Sequence, residues 1–290
     1  MIRRDHTSAP SYGDLWSAVL SPHHRDAMMI MRKNALYMIG SLLPAFMSGA
    51  YASDATVPQD TLTLGLGGQY APQYSGSDKY ALQIVPVIQA RKGAFFLDTE
   101  KGVGYDLQTA DGLYLEHTLG YNLGRADSRS AWRDGADNLK GMGTIDAVLN
   151  TALAVGWSVT PWLTVEGKAT LPLTDSQGVQ YQTSVTLLPV QSAYDTVAIQ
   201  SAMLFGDSRY MNIFYGVNRQ QSLASGYSRY SAKGGMYGIE TRLIWSHQFD
   251  AHWGTTFSAG YHWLDSAAAD SPIVLRRNEG STVAAFTYTF

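Results

Sequence analysis

The sequence predicts an all-β membrane protein. The expected fold is a transmembrane antiparallel up-and-down β-barrel of about 12 strands, with 10 or 14 as the alternatives, preceded by a cleaved signal peptide. Three observations predict it. A secretory leader ends near residue 52, the rest of the chain alternates polar and apolar residues over long runs, and the last residue is a phenylalanine closing a strand.

Composition fits this class. Charged residues make up 16% of the 290-residue chain, well below the roughly 25% of a typical soluble domain. Eighteen tyrosines and 28 glycines suit a thin wall with lipid on one side and headgroups at its ends. The formal net charge of −3 leaves no basic surplus for a nucleic-acid partner. With no cysteine, disulfides, thiolate nucleophiles and cysteine-held metals are excluded.

The leader comes first along the chain. Arg32 and Lys33 precede an apolar stretch beginning at Ala35, and Ala50-Tyr51-Ala52 supplies the small residues that signal peptidase requires. That stretch is about 15 residues and contains Pro44, short of the roughly 20 needed to span a bilayer as a helix. Cleavage is expected between Ala52 and Ser53. Residues 31–52 are thus assigned to the signal and 53–290 to the barrel. Residues 1–30 match no targeting pattern and read as a start assigned too early or as an extension; Met28, Met29 and Met31 lie just ahead of the basic pair.

Beyond Ala52 no apolar run reaches helix-spanning length. In hydrocarbon every backbone N–H and C=O needs a partner, so a spanning chain without such helices has to be a closed sheet. The run from Ile145 shows the pattern best: Leu149, Leu153, Val155, Trp157 and Val159 share one face, while Asn150, Ala152, Ala154, Gly156 and Ser158 share the other. Leu113, Leu115, His117, Leu119 and Tyr121 likewise oppose Tyr114, Glu116, Thr118, Gly120 and Asn122. Such alternation places strands at 61–70, 80–91, 94–108, 113–124, 144–159, 162–173, 178–189, 195–205, 209–218, 235–249, 252–264 and 281–290.

An even count puts both ends of the barrel chain in the periplasm. The turns at 206–208 and 250–252 then face the periplasm, and 219–234 and 265–280 face outward. The long charged segment 125–142 falls on the periplasmic side, where turns are usually short. Either it folds into the lumen or 94–108 is two strands.

Charged residues on the inward faces are Glu116, Glu166, Lys168, Glu240 and Arg242, accompanied by Asn150. Both signs are present, so pairing across the lumen is expected ahead of conduction. Four histidines follow the leader. His117 and His247 fall on lipid faces, His252 in a turn and His262 on a lumen face near the outer rim. A serine hydrolase needs its base within hydrogen-bond reach of the nucleophile, and no G-x-S-x-G elbow occurs. Gly65-Leu66-Gly67-Gly68 lies in a strand and lacks the helix a phosphate loop requires, so close packing is expected there. Asp98, Glu100, Asp106 and Asp111 lack the spacing of a calcium loop. Neither a catalytic residue nor a cofactor is assigned. Arg219, Tyr227, Arg229, Tyr230 and Lys233 are read as outer-loop residues facing water and headgroups.

Several stretches resemble the family of MltA-interacting protein (MipA) and the outer-membrane protein OmpV. They are Pro72-Gln73-Tyr74-Ser75-Gly76-Ser77, Gly120-Tyr121-Asn122-Leu123-Gly124-Arg125, Leu139-Lys140-Gly141-Met142-Gly143-Thr144-Ile145-Asp146, Tyr215-Gly216-Val217, Ala224-Ser225-Gly226-Tyr227 and Asp270-Ser271-Pro272-Ile273. The terminal Phe286, Tyr288 and Phe290 resemble the signal by which such barrels meet their assembly machinery. The resemblance implies a barrel in the outer membrane of a Gram-negative bacterium, in contact with lipid and lipopolysaccharide. It further implies a non-enzymatic scaffold joining a lytic transglycosylase to a murein synthase. A small-solute channel is the alternative, and a lipid-modifying barrel enzyme the third reading.

Overall fold

The computed structural model describes residues 60–131 and 133–290. The leader, its expected cleavage site at Ala50, Ala52 and Ser53, and the segment 1–30 lie outside those residues.

Twelve antiparallel strands close into a barrel. In chain order they are β1 (Thr61–Pro72), β2 (Tyr80–Lys92), β3 (Phe95–Asp98), β4 (Gly102–Gln108) and β5 (Leu113–Asn122). After the two-residue strands β6 (Arg125–Ala126) and β7 (Asp134–Gly135) come β8 (Val148–Thr160), β9 (Leu163–Pro172), β10 (Gln180–Gln191), β11 (Asp195–Gly206), β12 (Gly235–Gln248), β13 (Trp253–Leu264) and β14 (Asn278–Thr289). The seam joins β1 to β14 from Thr63↔Thr289 to Tyr70↔Thr282. Gly65 and Gly67 let the seam close tightly, since a Cβ on either would meet a carbonyl of β14 at 2.5 or 2.7 Å.

The alternation of polarity turns the protein inside out. On β8 Leu149, Leu153, Val155 and Trp157 are exposed to the bilayer, while Ala152 and Ala154 are buried against the lumen. Apolar packing of the ordinary kind lies instead in the outer loops. There a helix α1 (Ser208–Phe214), a helix α2 (Arg219–Ser225) and a short helix α3 (Ser266–Ala269) sit over the barrel mouth.

Two of the twelve strands counted from the sequence differ, the first along an alternative the sequence itself raised. The run 94–108 is two strands, because Asp98 folds the chain back: its Oδ1 accepts from the amides of Glu100 and Lys101 at 2.8 and 3.0 Å, and Gly102 takes φ +89°. The run 209–218 is not a strand. Asp207 caps α1 by accepting from the amide of Tyr210 at 2.7 Å, and the spacing of Tyr210, Met211 and Phe214 puts all three on one helical face. The two departures cancel in the count but not in topology. Segment 123–147 moves to the outer side, and the turn 206–208 becomes the outer-side cap of α1. The sequence reading had placed both in the periplasm. The turns left on the periplasmic side, around Gly93, Asp111, Pro161, Tyr194 and Asp250, are all short.

Candidate functional site

Inward positions of β2, β4, β5, β9 and β12 meet in one ionic layer across the lumen. Arg91 of β2 grips Asp106 of β4 with two guanidinium bonds, one of them 3.1 Å. Lys101 donates to Glu116 at 2.7 Å, and both side chains are nearly sealed from water. Tyr114 donates its hydroxyl to Glu166, also at 2.7 Å. On β12 Arg242 holds Glu240 at 2.6 Å and lies 4.0 Å from Glu100. Both cations flanking Phe96, Arg91 and Lys101, lie just under 6 Å from its ring centroid. Lys168 acts electrostatically on Glu100 and Glu166, and Asn150 lies against Gly120.

The sequence reading leaves out of the lumen set Arg91, Asp106, Lys101 and, reaching toward the far wall, Glu100. Glu100 belongs to the tip of the β3–β4 hairpin, which reading 94–108 as one strand conceals. The signal for it is the turn-forming stretch Asp98-Thr99-Glu100-Lys101-Gly102.

Above this layer the outer loops form a cap with two apolar clusters. One gathers Ala202, Leu204, Met211, Tyr215, Tyr237, Leu264 and Ala268. The other gathers Tyr74, Ala136, Leu139, Met142, Val217 and Ile273. Tyr74 is 1% exposed; its hydroxyl donates to the carbonyl of Ile273 at 2.8 Å and accepts from Asn138 at 2.6 Å. Burial pushes its pKa up to about 12. Arg125 donates to the carbonyl of Phe214 at 2.6 Å and lies over the ring of Tyr74. Burial lowers its pKa, opposed by Tyr74, Tyr215 and Asp134. Glu279 ties β14 into the cap by accepting from the amide of Gly76 and pairing with His262. A polar pocket of about 890 Å³ opens among these loops, lined in part by Asp146, Asp175, Arg209, Asn212, Gln221 and Arg229.

The stretches that suggested a family are therefore neighbours in space. Tyr74, Leu139, Met142, Val217, Tyr227 and Ile273, from five of those stretches, share one cluster. The family model for MltA-interacting protein MipA matches residues 64–290. The chain belongs to the MipA family. No curated protein matches the chain. Among solved structures it is similar to the NanC porin, at 13% identity and TM-score 0.42 over 78% of this chain and 98% of that one. It is similar also to the CymD monoaromatic hydrocarbon channel, at 11% identity and TM-score 0.41 over 87% and 92%, and to the KdgM porin, at 9% and 0.41 over 79% and 99%. These are likenesses of barrel shape.

In this MipA-family barrel the four histidines are spread around the wall and its rim. His117 bonds Thr151 at 2.8 Å, His247 bonds Asp195 at 2.9 Å, His252 bonds the carbonyl of Thr289 at 2.8 Å, and His262 faces Glu279 at 3.2 Å. None of these bonds goes to a serine. Of the four carboxylates considered for calcium, Asp98 caps its own turn, Glu100 faces Arg242 and Asp106 faces Arg91, so they are engaged apart. Asp111 offers its backbone carbonyl to Trp157 at 3.1 Å.

Of the outer-loop set, Tyr227 donates to the carbonyl of Asn138 at 2.9 Å and Tyr230 to that of Ala267 at 3.0 Å. Both are therefore cap-packing residues. Arg219 begins α2, Arg229 lines the polar pocket, and Lys233 lies in the exposed stretch before β12. At the periplasmic rim Phe286 stacks on Trp253 at 5.0 Å, and Tyr288 meets Trp253 and Phe290 edge-on at 4.8 and 4.9 Å. Phe290 is 67% exposed.

Proposed function

We propose that this barrel is a non-enzymatic scaffold in peptidoglycan remodelling, holding a lytic transglycosylase and a murein synthase at its periplasmic face. The family's description as an MltA-interacting protein motivates the partner class. The observation carrying the non-transport half is the cap. Two packed clusters sit over the outer mouth; beneath them Arg91–Asp106 and Lys101–Glu116 pair along the wall, and Arg242 of β12 reaches across toward Glu100. A lumen built to conduct would keep its charges free to solvate an ion. The exposed aromatic rim of Trp253, Phe286 and Phe290 is assigned to headgroup contact and to engagement by the assembly machinery.

The test has two arms. Cross-linking of intact envelopes followed by affinity capture is expected to recover a transglycosylase or a synthase, and recovery of neither refutes the scaffold. Purified barrel in a planar bilayer is expected to give no discrete conductance steps. Steps that persist at low voltage refute the sealed lumen.

A second reading rests on the outer pocket. Its mixed charges, Arg209 and Arg229 together with Asp146 and Asp175, suit a small polar solute. The same bilayer recording, with conductance blocked by added solute, favours a channel of that kind.

A further inference from the structure

The barrel wall is complete only in its periplasmic half. The β3–β4 hairpin stops at Thr99-Glu100-Lys101, where the amide of Thr99 donates to the carbonyl of Ile88 at 3.0 Å. Beyond that point β2 continues from Val87 back to Tyr80, paired to β1 alone. Across the gap, β5 has no β4 partner past Leu119. With two strands absent, β2 and β5 stand about three strand spacings apart at the sill, roughly 14 Å, and the free edge of β2 runs for about 26 Å. Residues 123–131 and 133–135 form the roof, reaching across to the carbonyl of Gln73, which accepts from the amide of Gly135.

Exposure records the missing neighbours. Leu82 and Ile84 are 76% and 77% exposed, whereas Ile88, level with Thr99, falls to 41%. The exposed leucines, isoleucines and valines on the other wall strands span 37% to 62%.

The edge has its own chemistry. Ile88 directs both its N–H and its C=O toward Thr99. By strand alternation, Pro86, Ile84, Leu82 and Tyr80 direct theirs into the gap as well. Pro86 brings no N–H, and a proline in the middle of an edge blocks addition of another strand. The gap is thus kept open. Its remaining amides and carbonyls need polar partners, because in dry hydrocarbon each would cost several kcal/mol. Just inside lies a small apolar patch: Val85 and Val87 of β2 sit next to Gly67 and Gly65 of β1, with Ala285 of β14 beyond, and Gln69, Gln83 and Thr287 border it. Apolar lipid-facing residues outside, a polar strand edge and an apolar patch bordered by glutamines within together suit an amphiphile.

We propose that this gap is a lateral portal, through which the acyl chain of an outer-leaflet amphiphile enters the lumen above the ionic layer. Its polar group stays at the hydrated edge of β2. The axial route from outside is covered by the cap, so access is sideways.

The chain has no cysteine, so single cysteines can be placed and labelled with bimane. The variants are Val85→Cys and Val87→Cys at the portal, Gln200→Cys on the far lumen wall and Leu153→Cys facing lipid. Each is reconstituted, with folding checked by heat-modifiable migration, in phosphatidylcholine vesicles whose acyl chains carry bromine. Bromine quenches bimane only on contact. Quenching at Val85 or Val87 is expected to reach at least half that at Leu153 and to exceed that at Gln200 severalfold. If both portal positions match Gln200, no chain enters and the portal is refuted.

Discussion

Lys101 and Glu116 offer the sharpest test of the lumen's electrostatics, because the two partners are not equivalent. Their side chains are 13% and 5% exposed and meet at 2.7 Å. Lys101 is also attracted by Glu166 and Asp98. Among the described residues, the carboxylate of Glu116 bonds the side chain of Lys101 and no other. Replacing Lys101 with Met strands a buried carboxylate beside the further carboxylates of Glu166 and Asp106. Breaking a buried pair from that side costs about 3–5 kcal/mol. Replacing Glu116 with Gln leaves Lys101 two other carboxylates and a hydrogen-bond acceptor, so about 1–2 kcal/mol is expected.

The double variant removes both charges together. It should lose at least ~2 kcal/mol less than the sum of the singles, the coupling being within the range for residues in direct contact. Urea unfolding of the barrel in lipid vesicles, followed by tryptophan emission and by heat-modifiable migration, measures all four proteins. Equal losses in the two single variants would refute the argued asymmetry. Additive losses would mean that the pair is not a pair in the folded barrel.

Two further predictions concern the cap. Tyr74 is held neutral by burial, with its pKa raised from 10.0 to about 12; the cap therefore keeps this stabilisation in full below pH 10 and loses it as pH rises toward 12. Two pH units correspond to roughly 3 kcal/mol. Near-ultraviolet dichroism should change in that window while the far-ultraviolet β signal persists, and a change complete by pH 10 contradicts it. Asp207→Ala removes the α1 cap and also the acceptor for the amide of Val179 at 2.9 Å. About 1–2 kcal/mol is lost locally, so trypsin should cut at Arg209 or Arg219 about tenfold faster, without a change in barrel migration.

Barrel class and strand faces were legible because hydrocarbon disfavours polar side chains facing it along a strand. Lipid thereby writes period two into every wall segment. The register of Leu149, Leu153 and Val155 outward against Ala152 and Ala154 inward is a direct product of that constraint. What the pattern hides is any element to which lipid is indifferent. Phe95, Leu97, Val103, Tyr105 and Leu107 keep the alternation on both sides of the hairpin turn, so the turn itself shows only through Asp98 and Gly102. In the cap, Tyr210, Met211 and Phe214 bury against Tyr237 from a helix, and a short run of mixed aromatics suits helix and strand alike. The Asp207 cap ahead of it was the distinguishing signal.

The six stretches that marked the family carry their information in the cap. Wall positions need only be apolar on one face and small or polar on the other, a demand that many sequences meet. Cap positions meet a stricter one: Tyr74 has to reach both Ile273 and Asn138, and Gly141 with φ +86° has to pass close to the carbonyl of Ala224. Such fixed geometry is unnecessary for loops that merely shield a wall from water. It is needed when the loops hold the outer mouth shut and anchor Gln73 and Arg125, the two ends of the roof over the gap beside β2. Loosening the cap should therefore widen access from the side as well as from above. Bimane at Val85 in an Asp207→Ala background separates the two, since quenching by brominated chains reports the side and quenching by iodide the top.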